Sequence, residues 1–242
     1  MYINYFNSKV IFTKNIQYEL SEILKKKKKK IFIIIDKNTK KYCLPILDLK
    51  IDFQIIEIPE GEKNKNLKTC LQIWDFLFEN NAERNSLLIN LGGGLICDIG
   101  GFAASTFKRG IEFINIPTSL LSQVDASVGG KVGINYRNAK NEIGLFMSAT
   151  YILIDTKFLL TLDKRNIFSG FAEMIKHSLI SDIEDFNNLI EENILKLIYK
   201  KNKNFLDFVY KSVKIKNFFV SKDPFEKKGF RKVLNFGHTI GH

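Results

Sequence analysis

The chain has 242 residues, 45% of them hydrophobic, and carries 37 Lys and Arg against 26 Asp and Glu, a formal net charge of +11. That is enough apolar material for a substantial core, and no apolar run approaches the ~20 residues of a membrane span. The basic excess does not read as a nucleic-acid surface: six lysines form one run at 25–30, and the rest are scattered without interleaved aromatics.

What the charge fits instead is attraction of a small anion. Residues 1–6 lack the charged and apolar regions of a signal peptide. Cys43, Cys70 and Cys97 are odd in number, widely spaced and outside any C-x-x-C pattern. They point to a reducing compartment, the cytoplasm, with no structural disulfide.

The spacing predicts a first helix over 15–24, followed by the lysine run as a solvated loop. Buried strands are expected at 31–35 and 53–58, then a helix over 66–79 with Leu67, Leu71, Trp74, Leu77 and Phe78 at helical spacing. Strands at 87–91, 113–116 and 151–154 alternate with helices over 95–107 and 119–128. Alternation of this kind gives a Rossmann-like parallel sheet covered on both faces, with ligands at the carboxyl ends of its strands. Asp36 and Gly92 stand at two such ends.

After about residue 155 only helical periodicity remains, over 164–180, 182–200 and 204–220, with Asp163 as the N-cap of the first. The expected organisation is an α/β domain over 1–160 followed by an all-helical domain over 161–242. The chain stops at His242 inside a helix expected to begin near Asn235, so the helical domain reads as incomplete.

Ten of the fifteen glycines fall between Gly92 and Gly144. The apolar run at 87–91 leads straight into Gly92-Gly93-Gly94 and a helix-compatible segment. This order brings backbone N–H groups and a helix N-terminus up to a phosphate. His238 and His242 sit at i and i+4, a spacing that suits two metal ligands, or one ligand and one acid/base group. On their own, Glu173 and Lys176 at i, i+3 read as a surface ion pair. Asp125, Lys131 and Lys140 likewise read as surface charge around a turn-rich segment.

Together these residues are specific. Gly61-Glu62-x-x-Lys65, Gly92-Gly93-Gly94-x-x-x-Asp98, Arg109-Gly110 and the unbroken stretch 117–131 are similar to the 3-dehydroquinate synthases. So are Lys140-Asn141-x-Ile143-Gly144, Ala172-Glu173-x-Ile175-Lys176 and Arg231-x-x-Leu234-Asn235-Phe236-Gly237-His238-x-x-x-His242. The resemblance runs over essentially the whole chain. It implies an amino-terminal domain that binds NAD and a helical carboxyl-terminal domain that holds Zn2+ or Co2+.

By that resemblance Asp36, Glu62, Lys65, Gly93, Gly94, Asp98, Thr118 and Ser119 meet the dinucleotide, and Glu173 and His238 are metal ligands. Asp125, Lys131, Lys140, Asn141, Lys176, Arg231, Asn235 and His242 hold a small anionic sugar phosphate. Arg109 reaches into the partner subunit's site in a homodimer. Two local departures are Tyr136-Arg137, where the family has His-Pro, and Pro224, where it often has Glu. The family's third metal ligand lies in a His-Gly-Glu motif that this sequence does not contain.

The implied activity is conversion of 3-deoxy-arabino-heptulosonate 7-phosphate to 3-dehydroquinate and phosphate, a lyase step of the shikimate pathway. Two alternatives stay open: another sugar-phosphate cyclase, and a shortened relative that binds NAD without catalysis. With only two of the three family ligands supplied, the 242-residue chain is expected to bind zinc weakly and to lack synthase activity. Glycerol and iron-dependent alcohol dehydrogenases share the architecture and the triple-glycine turn. They act on neutral alcohols, and Lys131, Lys140, Lys176 and Arg231 argue against them.

Overall fold

The computed structural model describes residues 1–5, 8–25, 29–200 and 205–237. Its elements, in chain order, begin with β1 (Tyr2–Tyr5), β2 (Ser8–Phe12), α1 (Ile16–Lys25), β3 (Ile31–Ile35), α2 (Lys37–Tyr42), α3 (Leu44–Leu47) and β4 (Gln54–Glu57). Then come α4 (Leu67–Glu79), β5 (Leu87–Gly92), α5 (Gly94–Thr106) and β6 (Glu112–Pro117). A π-helical turn (Ser122–Ala126) precedes β7 (Lys131–Tyr136), β8 (Ala139–Phe146) and β9 (Tyr151–Ile154). The helices α6 (Lys164–Leu179), α7 (Ile183–Ile190), α8 (Ile194–Tyr199) and α9 (Phe205–Lys222) follow, and a 3-10 turn (Phe230–Asn235) ends the described chain.

Seven strands form one sheet in the order β1-β2-β9-β6-β5-β3-β4; β1 pairs antiparallel with β2 and every other pairing is parallel. The Ile-Phe-Ile-Ile-Ile run of β3 and all six residues of β5 are buried, as expected of parallel strands covered on both faces. One apolar cluster, with Ile33, Leu87, Ile89 and Ile114, packs under α1. A larger one joins the opposite face to α4, α5 and the helices α6 to α9, through residues such as Leu88, Ile99, Met174, Val209 and Val213. The chain leaves β3 for β4 on one side and returns to β5 on the other, so the carboxyl ends of β3 and β5 frame a switch point.

Four local readings need correction. The segment 119–128 is not a regular helix: after two helical residues, Leu120 and Leu121, it widens into the π-helical turn, which carries Asp125. The turn-rich stretch around Lys131 and Lys140 is a separate two-stranded hairpin, β7–β8. Residues 182–200 divide into α7 and α8, each started by its own side-chain cap, Asp182 and Asn193. The amino-terminal strands β1 and β2 went unpredicted because the parallel partner of β2 is β9, some 140 residues away (Val10 opposite Ile152). Of the lysine run, Lys25 ends α1, Lys29 pairs with Glu112 at 2.5 Å, and 26–28 lie outside the described residues.

Candidate active site

Gly92 is the last residue of β5 and sits in register with Pro117 at the end of β6. Gly93 is the N-cap of α5 with no side-chain cap, so the first N–H groups of that helix are turned to no side chain of their own. A Cβ at Gly93 would meet only Ser119, its hydroxyl at 3.4 Å and its Cβ at 3.9 Å, whereas one at Gly92 would strike Ile96 at 2.3 Å. The space at Gly93 is therefore a cradle rather than packed core, and it fits an approaching pyrophosphate. Thr118 is buried and donates its N–H to the Gly92 carbonyl at 3.0 Å. Asp36 caps α2 through a reciprocal pair with Thr39, and Glu62 accepts from Asn135 Nδ2 at 2.8 Å.

Lys65 is buried, and its ammonium donates to both Asp98 on α5 and the side-chain oxygen of Asn141 on β8. Asn141, at φ 56°, has its own N–H held by Asn135 at 2.9 Å. Burial pushes the Asp98 pKa up to about 6, with Lys65 pulling the other way. Asp98, Lys131 and Asn141 line one open cavity along the hairpin, and Lys131 pairs with Glu226. Lys140 is exposed on β8.

A second cluster lies where α6 and α9 cross the π-helical turn. Glu173, Lys176 and His177 are buried on α6, and Lys216 is buried on α9. Lys176 donates to Glu173 and, at 2.5 Å, to the Leu234 carbonyl. Lys216 donates to both the backbone oxygen and Oδ1 of Asp125, each at 2.5 Å. Burial works to raise the Asp125 pKa, but the Lys216 charge and hydrogen bond outweigh it and hold that pKa at about 2. Burial also opposes ionisation of Glu173, yet contacts with His177 and Lys176 bring it below the ordinary carboxylate value. For Lys216 burial prevails, and its pKa is lowered.

Arg231 is buried beside this cluster: its Nη1 donates to the Pro224 carbonyl at 2.9 Å, and a Cβ on Gly129 would come within 2.8 Å of Nη2. One donor atom each from Asp125, Glu173 and His177 lies within 4.8 Å of the others, a carboxylate and imidazole set that suits Zn2+ or Co2+. The ion-pair reading of Glu173 and Lys176 thus needs correction in one respect: the pair is interior, not on the surface. Asn235 ends the 3-10 turn and is exposed. His238 and His242 lie outside the described residues. Arg109 is exposed on a tight turn at φ 67°, with Lys108 before it at φ 49°.

Two family models match in tandem, 3-dehydroquinate synthase N-terminal over residues 55–169 and 3-dehydroquinate synthase C-terminal over 170–242. The chain belongs to the 3-dehydroquinate synthase family. A 3-dehydroquinate synthase of Parabacteroides distasonis is 48% identical over 238 residues, which is 97% of this chain and 66% of that protein. One of Prochlorococcus marinus is 44% identical over 234 residues, 94% of this chain and 64% of its own. The chain thus spans about two-thirds of the length of these relatives. Among solved structures, the 2-epi-5-epi-valiolone synthase of Streptomyces hygroscopicus, with NAD+ and Zn2+ bound, superposes at TM-score 0.88 and 26% identity. That alignment covers 98% of this chain and 66% of the other.

Within this synthase-family fold Arg109 and Lys140 are exposed, away from the buried cluster. Gly93, Gly94, Asp98, Thr118 and Ser119 lie at the carboxyl edge of β5 and β6, and Asp125, Glu173, Lys176 and Arg231 at the crossing of α6 and α9. Lys216, His177, Ser212 and Glu226 also stand there and were not singled out by motif. For Lys216 a signal existed: it shares the apolar face of α9 with Val209, Val213 and Val220, where a lysine is out of place unless it has a buried partner.

Proposed function

We propose that this chain supplies the cofactor-binding and much of the substrate-binding machinery of the 3-dehydroquinate synthase reaction: 3-deoxy-arabino-heptulosonate 7-phosphate is cyclised to 3-dehydroquinate with loss of phosphate. The observation that carries the reading is the interior cluster of Lys176, Lys216 and Arg231 around Asp125 and Glu173, beside the uncapped start of α5. Buried lysine and arginine side chains of this kind suit a substrate with a phosphate and a carboxylate. A dehydrogenase of neutral alcohols has no use for such side chains.

The uncapped turn at Gly93 and Gly94, with Asp36, Glu62, Lys65, Asp98, Thr118 and Ser119 around it, would hold NAD. When bound, NAD supplies a hydride acceptor that is regenerated within one turnover. Glu173 and His238 would hold Zn2+ or Co2+, which supplies polarisation of the hydroxyl to be oxidised. Lys131, Lys140, Asn141, Lys176, Arg231, Asn235 and His242 would bind and orient the sugar phosphate, and Asp125 keeps Lys216 in place and charged. The substrate phosphate is itself a base for the neighbouring proton, so the residues need only position it. Arg109 would complete the site of the partner subunit in a homodimer, which sedimentation equilibrium tests.

The test is phosphate release from the heptulosonate phosphate with NAD and Zn2+ or Co2+. It is run on the 242-residue chain and on the same chain joined to the carboxyl-terminal third of the Parabacteroides relative. Release by the joined protein, lost on Lys131→Ala, is the expected result. A joined protein that binds NAD yet releases no phosphate overturns the proposal, and turnover of a different sugar phosphate reassigns it to another cyclase.

A further inference from the structure

His177 belongs to none of the motifs above. It lies on α6 one turn beyond Glu173, with 0% of its surface exposed. Its Nδ1 is 2.8 Å from Ser212 Oγ on α9, and its Nε2 is 3.2 Å from Glu173 Oε1. That Nε2 is buried and has no aligned hydrogen-bond partner among the described residues. A histidine that merely fills a core has no reason to turn a bare ring nitrogen toward a buried carboxylate.

Chemistry assigns the protons. An ionised carboxylate only accepts, so contact with Nε2 is favourable when Nε2 carries the hydrogen. In the neutral ring Nδ1 is then the acceptor, and the Ser212 hydroxyl donates to it. Ser212 therefore fixes both the tautomer and the ring plane from a different helix. Lys176 holds the same Glu173 oxygen from the other contact on α6.

We propose that His177, fixed by Ser212, is a positioning residue that aims the Glu173 carboxylate at the divalent ion. This rests on the metal reading of Glu173. A ligand whose orientation is set in advance by an outer partner binds metal more tightly than a free-swinging one. Asp125 faces the same space, but its Oδ1 is paired with Lys216 from α9 rather than with His177.

The test titrates Co2+ into the 242-residue chain and its Glu173→Gln, His177→Leu, His177→Gln and Ser212→Ala variants. Affinity is read by competition with a chromophoric chelator, the ligand field by visible absorption, and folding by thermal unfolding without metal. Expected is a loss of about tenfold or more in Co2+ affinity for His177→Leu and a smaller loss for Ser212→Ala. His177→Gln, whose amide N–H reaches toward the same carboxylate, should recover most of the affinity with the cobalt bands unmoved.

Affinity of folded His177→Leu within about twofold of the parent chain overturns the proposal. So does a His177→Gln variant as weak as His177→Leu with displaced bands, which would make His177 itself a ligand. If His177→Leu does not fold, unchanged affinity in Ser212→Ala is the overturning result. Undiminished Co2+ binding by Glu173→Gln, or none by the parent chain at millimolar Co2+, defeats the metal reading itself.

Discussion

At the scale of single residues the site stores opposed electrostatics. Asp125, held at about 2 by Lys216, has a folded pKa below its ordinary value near 3.8. A depressed carboxylate adds stability above its unfolded pKa and loses it as pH falls through the folded one, here between about 4 and about 2. Asp125→Asn should flatten the acid limb of stability in that window. At pH 7 it should cost about 2 kcal/mol, because Lys216 is left buried without its carboxylate. The figure sits below that for a fully buried pair since the Asp125 side chain is 32% exposed. Urea unfolding at pH 7, 4 and 3 measures this, and an unchanged acid limb would assign the transition to other carboxylates. Asp98 is the reverse case: raised to about 6, it favours the fold below about pH 4, and that contribution is gone once pH passes 6.

Among elements, the decisive contact is α6 against the π-helical turn. Gly170 lets α6 approach so closely that a Cβ there would lie 2.4 Å from the backbone nitrogen of Leu121 and 2.6 Å from Leu120 Cβ. The approach is what brings Glu173 and His177 near Asp125. Gly170→Ala should therefore destabilise by about 1–3 kcal/mol, as overpacking does. It should also weaken Co2+ binding in the protein that remains folded. Full stability in the alanine variant would show that the contact relaxes without cost. The π-helical turn matters for the same reason, because one extra residue per turn rotates Asp125 toward Lys216 on α9.

For the molecule as a whole, the net charge of +11 is a long-range field over an anion-binding edge. NAD is anionic, so its affinity should fall as salt rises from about 0.01 to about 0.15 M, where the screening length shrinks from about 30 to about 8 Å. Calorimetric titration across that range checks it; an affinity independent of salt would mean that only short-range contacts bind the cofactor. No helix among the described residues is long and apolar enough to cross a membrane. One apolar cluster runs from the sheet into α6 to α9, so the parts that carry the glycine turn and the buried cations are packed as neighbours rather than strung on a linker.

What the sequence determined by itself was whatever depends on near neighbours along the chain. The parallel strands β3, β5, β6 and β9 announce themselves as apolar runs, α4 and α6 by their periodicity, and the cofactor turn by three glycines after a strand. Lys65, Asp98, Asp125, Glu173, Lys176 and Arg231 are named by the family resemblance, since spacing alone leaves Glu173, Lys176 and Asp125 as surface charge. Tertiary structure decided which charges are interior and what faces them. Nothing local distinguishes Glu173 and Lys176 from a surface pair, since the second partner of the buried Lys176 ammonium is the Leu234 carbonyl, 58 residues on. Lys216 meets Asp125 across 91 residues, and Ser212 meets His177 across 35. Such pairings follow from how α9 crosses α6 and the π-helical turn. Periodicity records which face of a helix is buried but not which helix it is buried against.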